Sequence, residues 1–441
     1  MYGLSRKELL FALLVSSSHF TQHVYYRLLP PLIPVLAVAL AYPLWQLGLL
    51  ISIYQFSSGL AQAPLGVLSD RIDRRYLLPT GLALTGLAYI VFAAAPVLGA
   101  PLRSLSVFGY GFEGGFLVMS LSMVIIGIGL SVVHPVGYPM ITANVDETSK
   151  GKVLGVFGAS SKLGDAATPA IIAVLILVLA WEQIILLFGV AGVLYSVALF
   201  AVLGRERYET VPVGENGADD GPAGDQNRDR RQFLYPMVAV YLYFIMSMVA
   251  TRGLNTFLPV FVVAVYAYSF GVGGLHVGAE SVANVFFSVL LLSGAVTQLF
   301  LGGLTDTHSP RKLIIYCMAL ATAGIVALVA FDLHPVSLFV VVAVLGAGLY
   351  GVNPPRDALI SDLSPPEYEG RAFGYMFTAS MMTAAPLPAI IGYVLEDVGM
   401  REGFLVLAIG PVLAAVAIGL LYSDRVYVSR PDPDLDAGVS D

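Results

Sequence analysis

Few residues in this chain could do chemistry, and they stand out because their neighbours cannot. Arg27 and Arg252 each sit about eighteen residues into an apolar run. Lys162 and Arg356 are the other cations inside such runs, and Asp165 and Asp357 are the only acids there. Burying a charge in a membrane span costs at least ~2.5–3.5 kcal/mol, so each of these groups requires a polar cavity or a partner. Two guanidiniums facing one cavity suit a small anion, because each can offer two parallel hydrogen bonds to a carboxylate, phosphate or phosphonate. Alternatively each arginine pairs with a carbonyl or an acid and serves assembly alone. His19, His23 and Arg27 are spaced i, i+4, i+8 and share roughly one face of a helix. Histidines on a cavity face are natural proton carriers near neutral pH. Asp165, three residues after Lys162, is the other proton-coupling candidate; the two can equally neutralise each other as an i, i+3 pair. Asn255, one turn beyond Arg252, is a further candidate ligand. His134 precedes Pro135 and is read as satisfying carbonyls freed by that proline. Four intramembrane cations against two acids make the cavity positive, which favours anionic solutes over lipophilic cations.

Elements that can hold such groups follow from the composition. Of 441 residues, 57% are hydrophobic and 12% charged, with a mean hydropathy of +0.81, where an ordinary soluble chain carries about a quarter charged residues. A span needs about twenty apolar residues. Twelve are predicted, near 9–39, 45–65, 76–97, 115–141, 153–179, 183–203, 234–264, 281–301, 312–331, 336–362, 372–395 and 403–423. Residues 1–204 are expected to form one six-helix half and 234–424 the other, giving an all-α membrane protein. The stretch 205–233, with ENGADDGPAGDQNRDRR, reads as a flexible cytoplasmic linker, and 425–441 as a disordered tail. Met1–Leu10 leads directly into an apolar run too long for a cleavable signal.

Orientation comes from the lysines and arginines. Of 23, seventeen fall on the side of the N-terminus and only Arg103 and Arg401 on the other. This asymmetry predicts a cytoplasmic-membrane protein with both termini cytoplasmic. The net charge of −7 comes mostly from linker and tail and implies no nucleic-acid partner. The single cysteine, Cys317, rules out an internal disulfide.

The halves are copies of each other. At an offset of 219, GIGLSVVHP (Gly127–Pro135) overlies GAGLYGVNP (Gly346–Pro354), and Pro169-Ala-Ile-Ile overlies Pro388-Ala-Ile-Ile. At 225, Arg27, Leu29, Pro34, Val35, Val38 and Ala39 overlie Arg252, Leu254, Pro259, Val260, Val263 and Ala264. Two parallel repeats imply a solute path between them near the midplane.

GVLSDRIDRR (Gly66–Arg75) resembles the loop between the second and third helices of the major facilitator superfamily, with Asp73 where the family usually has Gly. A degenerate copy, GGLTDTHSPRK (Gly302–Lys312), stands between the eighth and ninth. SHFTQHVYYRLLPPLIP (Ser18–Pro34) and GLSVVHPVGYPMI (Gly129–Ile141) resemble the fosmidomycin-resistance-type branch. The resemblance covers essentially the whole chain. It implies twelve helices in two bundles, alternating access, and a gating role for Gly66, Asp70, Arg71, Arg74, Arg75, Asp306 and Arg311. In the family this loop is taken to latch the outward-facing state; the other reading is that these charges only set topology. The family's antiporter pattern in the fifth helix is not reproduced by GASSKLGDAATPAII (Gly158–Ile172), which leaves proton exchange open. Arg356 and Asp357 are expected in the gate's charge network with Asp362, Glu369 and Arg371.

The expected function is secondary transport of a small organic anion, coupled to protons, by a chain acting as a monomer in lipid. One alternative is multidrug efflux through a mainly hydrophobic pocket, which the Phe and Tyr content supports and the arginine pair opposes. Another is a membrane sensor that keeps the fold without transporting. No P-loop or His/Cys cluster with metal spacing is present in the sequence, so no cofactor, metal or enzymatic activity is expected.

Overall fold

The computed structural model describes residues 4–205, 208–211, 234–364, 378–379 and 381–427. Most of the expected linker and tail, together with Glu369 and Arg371 of the expected gate network, lie outside these. The chain forms twelve transmembrane helices in two pseudo-symmetric bundles. The first half contains α1 (Arg6–Leu40), α2 (Leu44–Ser69), α3 (Arg74–Ala93), α4 (Gly114–Asn144), α5 (Glu147–Leu175) and α6 (Trp181–Arg205). The second contains α7 (Leu234–Phe261), α8 (Ala279–Thr305), α9 (Pro310–Ala330), α10 (Pro335–Leu363), α11 (Met381–Val398) and α12 (Met400–Tyr422). Among the described residues, ten are apolar enough to be recognised as spans by composition alone. The exceptions are α2 and α5. They run 26 and 29 residues but carry Gln46, Gln55, Ser57 and Ser58, and Ser160, Ser161, Lys162 and Asp165.

Packing repeats between the halves. In the first, α3 packs on α4 and α6, α2 on α4, and α1 on α5; in the second, α9 packs on α10 and α12, and α8 on α10. Two further pairs join the halves, α2 with α11 and α5 with α8. The α2–α11 contact is tightest on the side away from the N-terminus: a Cβ at Gly48 would lie 2.2 Å from the Pro388 carbonyl oxygen. There Leu44 N–H donates to the Glu396 carboxylate, and Ala389 N–H to Ser52 Oγ at 3.3 Å. On the other side, a Cβ at Gly155, Gly158, Gly302 or Gly303 would meet nothing within 4 Å. Among the described residues, the α2–α11 contact between the halves is thus closest at the end away from the N-terminus.

Three features depart from uninterrupted helices. First, α1 is broken: its first piece ends at Tyr26, Arg27 is the cap, and a 3₁₀ turn at Pro30–Leu32 leads into Ile33–Leu40. Pro30 and Pro31 lack the N–H groups that would extend the helix. The expectation of a continuous helix over 9–39, with Arg27 in its middle, is thus corrected. Second, α4 and α10 break within two residues of equivalent points, after Leu130 and Gly351, just ahead of Pro135 and Pro354. Third, α7 ends in a π turn, Val262–Tyr266. It holds one extra residue: Ala41 and Ala267, each left-handed at φ 53° and 50°, are offset by one more than the 225 that relates Arg27 to Arg252. Two short hairpins, β1 (Leu105–Val107) with β2 (Tyr110–Phe112) and β3 (Phe270–Val272) with β4 (Leu275–Val277), were not anticipated. Their two-residue turns use positive φ at Phe108-Gly109 and Gly273-Gly274, the geometry that matches the twist of paired strands.

Candidate functional site

Where α1 breaks, α5 comes close. A Cβ at Gly164 would lie 2.6 Å from the Phe20 carbonyl oxygen, so only glycine admits this approach. The next residue, Asp165, is thereby brought to α1. Its Oδ1 accepts from Arg27 Nε at 2.8 Å and from His23 Nδ1 at 3.0 Å. Both side chains are largely buried, Arg27 at 16% and Asp165 at 9% exposure. Asp165 thus balances Arg27 rather than Lys162; the alternative i, i+3 pair does not form, because Asp165 is turned toward α1. Lys162 makes no ion pair among the described residues. It lies within electrostatic reach of Asp165 and Arg27, and of Arg356 and Asp357 across the interface.

Arg252 is placed differently. It sits inside the unbroken stretch of α7, half-buried, and its Nε is enclosed with no hydrogen-bond partner. Among the described residues it makes no ion pair. Its electrostatic neighbours are Arg27, Tyr26, Tyr54 and Tyr350, drawn from α1, α2 and α10. Asn255 is buried and accepts a short hydrogen bond from Tyr350 O–H. Tyr26 O–H meets Ser58 Oγ at 3.1 Å, and Tyr54 O–H donates to the Tyr26 carbonyl at 3.4 Å. Arg252 therefore lies within electrostatic reach of Arg27 and of three tyrosines from three different helices. Those tyrosines escaped the sequence reading, since a tyrosine in an apolar run looks like core; phenol groups near each arginine were the missed signal.

The histidines form a chain leading from Asp165. His19, buried at 4% exposure, faces α4 and α5 rather than sharing His23's position beside Asp165. Its Nδ1 donates to the Phe157 carbonyl at 2.7 Å, which leaves Nε2 to meet His134 Nε2 at 3.2 Å. His134 thus bonds to His19 and not to carbonyls freed by Pro135, correcting the expectation for it. One ring nitrogen each from His19, His23 and His134 lies within 4.8 Å of the other two. Sequence spacing hides this group because His134 is 115 residues from His19.

The ion pairs of the Gly66–Arg75 loop are local, while Ser69 Oγ ties it to α4 by donating to the Pro135 carbonyl at 3.1 Å. Asp70, 72% exposed, caps the C-terminus of α2 and lies 3.8 Å from Arg74. Asp73 accepts from Arg75 N–H at 2.9 Å, so the residue that replaces the family's usual Gly caps α3. Arg75 is 3.6 Å from Asp73, and Arg74 N–H donates to the Thr210 carbonyl at 3.0 Å. Arg71 makes no ion pair among the described residues. A Cβ at Gly66 would meet nothing within 4 Å. In the second half, Asp306 caps α8, while Arg311 donates to the Leu421 carbonyl at 3.1 Å and stacks 4.4 Å over the Tyr427 ring. Arg356 pairs with Asp357 at 2.8 Å and donates to Asn353 at 2.8 Å.

Known proteins share this architecture. The sequence profile of the Major Facilitator Superfamily matches residues 15–291 and 274–439. A probable L-galactonate transporter of Escherichia coli (strain K12) is 27% identical over 169 residues, which is 38% of this chain and 33% of that protein. Multidrug resistance protein MdtG of Serratia proteamaculans (strain 568) is 31% identical over 170 residues, 38% of this chain and 40% of that protein. These two matches each span well under half of the relative's length. The crystal structure of a bacterial homolog of the human lysosomal transporter Spinster, in an inward-facing and occupied conformation, superposes with a TM-score of 0.74 at 13% identity, over 98% of this chain and 100% of that one. The agreement of profile, topology and repeat places this chain in the Major Facilitator Superfamily, whose members are membrane transporters and not enzymes.

Proposed function

We propose that this protein moves a small organic anion across the cytoplasmic membrane by alternating access, coupled to protons. The observation that carries the reading is Arg252: a guanidinium inside a span, with a partnerless buried Nε, facing Arg27 and three tyrosine hydroxyls. A carboxylate or phosphonate bridging the two arginines would supply the missing acceptors. Asn255 and Lys162 would contribute further donors at the edge of the same space. The sugar-acid solute named for the Escherichia coli relative has the same carboxylate chemistry.

Coupling follows from the shared Asp165 carboxylate. An anion that draws Arg27 away removes one of its two partners and raises its proton affinity. His23, already bonded to Asp165, is the donor, and His19 extends the relay. Release of the anion returns Arg27 to Asp165 and expels the proton. With both termini cytoplasmic, as the distribution of basic residues supports, the close α2–α11 contact at Gly48 faces away from the cytoplasm. Among the described residues the charged groups of the Gly66–Arg75 loop pair only with one another, in keeping with a latch that belongs to the outward-facing state. Its gating set comprises Asp70, Arg71, Arg74 and Arg75 with Asp306 and Arg311.

The test is proton flux in proteoliposomes loaded with a pH-reporting dye. The panel contains small carboxylates, phosphate esters, phosphonates and lipophilic cations, with Arg27→Ala and Arg252→Ala beside wild type. Anion-dependent flux that both substitutions abolish supports the reading. Flux driven by lipophilic cations and indifferent to both overturns it in favour of drug export, the activity class named for the Serratia relative.

A further inference from the structure

We infer that His19, His23 and His134 form a binding site for one divalent transition cation of the Zn²⁺ class. Three observations converge. One ring nitrogen from each histidine lies within 4.8 Å of the other two, and the His19 and His134 Nε2 atoms are already 3.2 Å apart. A tetrahedral ion with Zn–N bonds of about 2.0–2.1 Å holds its ligand nitrogens roughly 3.4 Å apart, so a small inward turn of His23 completes the set. The outer contacts are those of a metal site. His19 Nδ1 is fixed by the Phe157 carbonyl at 2.7 Å and His23 Nδ1 by the Asp165 carboxylate at 3.0 Å. In metal-ligating histidines the second ring N–H is held in just this way, by a backbone carbonyl or a carboxylate, which fixes the tautomer and leaves the other nitrogen's lone pair for the ion. Finally, the ligands come from two elements, α1 and α4, and His23 and His134 are half-buried, so the site has an approach.

The donor set selects the ion. Three imidazoles suit Zn²⁺, Cu²⁺, Ni²⁺ or Co²⁺, whereas Mg²⁺ and Ca²⁺ require oxygen ligands. Binding needs His134 to move its proton from Nε2 to Nδ1, for which no bond but that to His19 is broken. Three protein ligands leave a fourth position for water. On the reading of the preceding section, an ion here occupies the nitrogens of the proton relay and stops coupled flux. Binding itself is independent of that reading and is measured separately.

The experiment is titration of the tag-free full-length protein in detergent with Co²⁺, followed by its visible absorption, and with Zn²⁺ by calorimetry. One equivalent is expected, with absorption of a four-coordinate, nitrogen-rich Co²⁺ and no heat from Mg²⁺. His134→Asn, which installs the residue that the repeat carries at 353, and His19→Ala should each weaken Zn²⁺ binding by more than about a hundredfold. Asp165→Asn combined with Arg27→Gln, which leaves no buried charge unpaired, removes an outer contact of His23 and should weaken it by roughly 10–100-fold. His308→Ala, on an exposed loop, should change nothing. Wild type without saturable Co²⁺ absorption overturns the site whatever the variants do. So does binding that His308→Ala removes, or that His134→Asn leaves intact. If Zn²⁺ binds as described but leaves anion-driven proton flux untouched, the metal site stands and the relay through these histidines falls.

Discussion

Arg27 and Arg252 occupy equivalent positions in two copies of one six-helix unit, yet the structure treats them oppositely. Arg27 caps a helix that two prolines have broken, and its charge is met by Asp165 and, through it, by His23. Arg252 stays within a continuous helix with its Nε buried and unmet. Duplication supplied the same cation twice; divergence around it gave one an internal counter-ion and left the other without. The first can hold a charge in place between turnovers. The second has no ion pair among the described residues, which on the proposed function leaves it to an incoming anion, so the two halves differ in chemistry although alike in architecture.

The largest expected effect breaks the balanced side. Asp165→Asn leaves Arg27 buried without its counter-ion, and removing one member of a buried pair costs about 3–5 kcal/mol. Thermal unfolding can be followed by a thiol-reactive dye on Cys317, the chain's one cysteine, buried in α9. Asp165→Asn should unfold well below wild type and lose coupled flux. Combining it with Arg27→Gln should restore stability and leave transport dead. Next comes the opposite prediction for the unbalanced side. Arg252→Ala removes a charge that no ion pair among the described residues compensates, so the same dye assay should show no loss of stability while anion transport vanishes. Equal destabilisation by Arg27→Ala and Arg252→Ala would erase the distinction between the two. Arg252→Lys sharpens it further. It keeps the charge but not the planar fork, and transport should fall by about tenfold, roughly the 1.4 kcal/mol expected for losing one of two parallel hydrogen bonds.

How much of this could be read from the sequence depends on how far apart the interacting residues lie. The helices were legible because lipid demands long apolar runs, and Arg27, Arg252 and Asp165 because charge inside such runs is costly. The break in α1 was signalled by Pro30-Pro31 and should have been drawn. The hairpin at Gly273-Gly274 had its signal in an alternating FGVGGLHV. What stayed hidden was pairing. Nothing local says that Asp165 turns to α1 rather than to Lys162, that His134 reaches His19, or that Tyr26, Tyr54 and Tyr350 face a polar space. Each depends on which helix packs beside which, and so on Gly164 admitting α1 or on α10 lying against α7.

The smallest effect tests whether the free side is pre-organised. Tyr350 O–H donates to Asn255, one turn from Arg252, and the ring lies within electrostatic reach of both arginines. If Asn255 is a ligand, that bond leaves its amide N–H groups pointing away from Tyr350 and available to an anion. Tyr350→Phe removes one hydrogen bond, worth about 0.5–1.5 kcal/mol, and frees the Asn255 side chain to turn. KM for the anion should rise roughly two- to tenfold with the maximal rate little changed, because a loosened ligand weakens binding without touching the Asp165 switch. The same substitution should leave the unfolding temperature close to wild type, since a single hydrogen bond is lost and no charge is left unpaired. A fall in maximal rate with KM constant would instead tie Tyr350 to the coupling side, and the division of labour between the halves would have to be redrawn with α10 belonging to both.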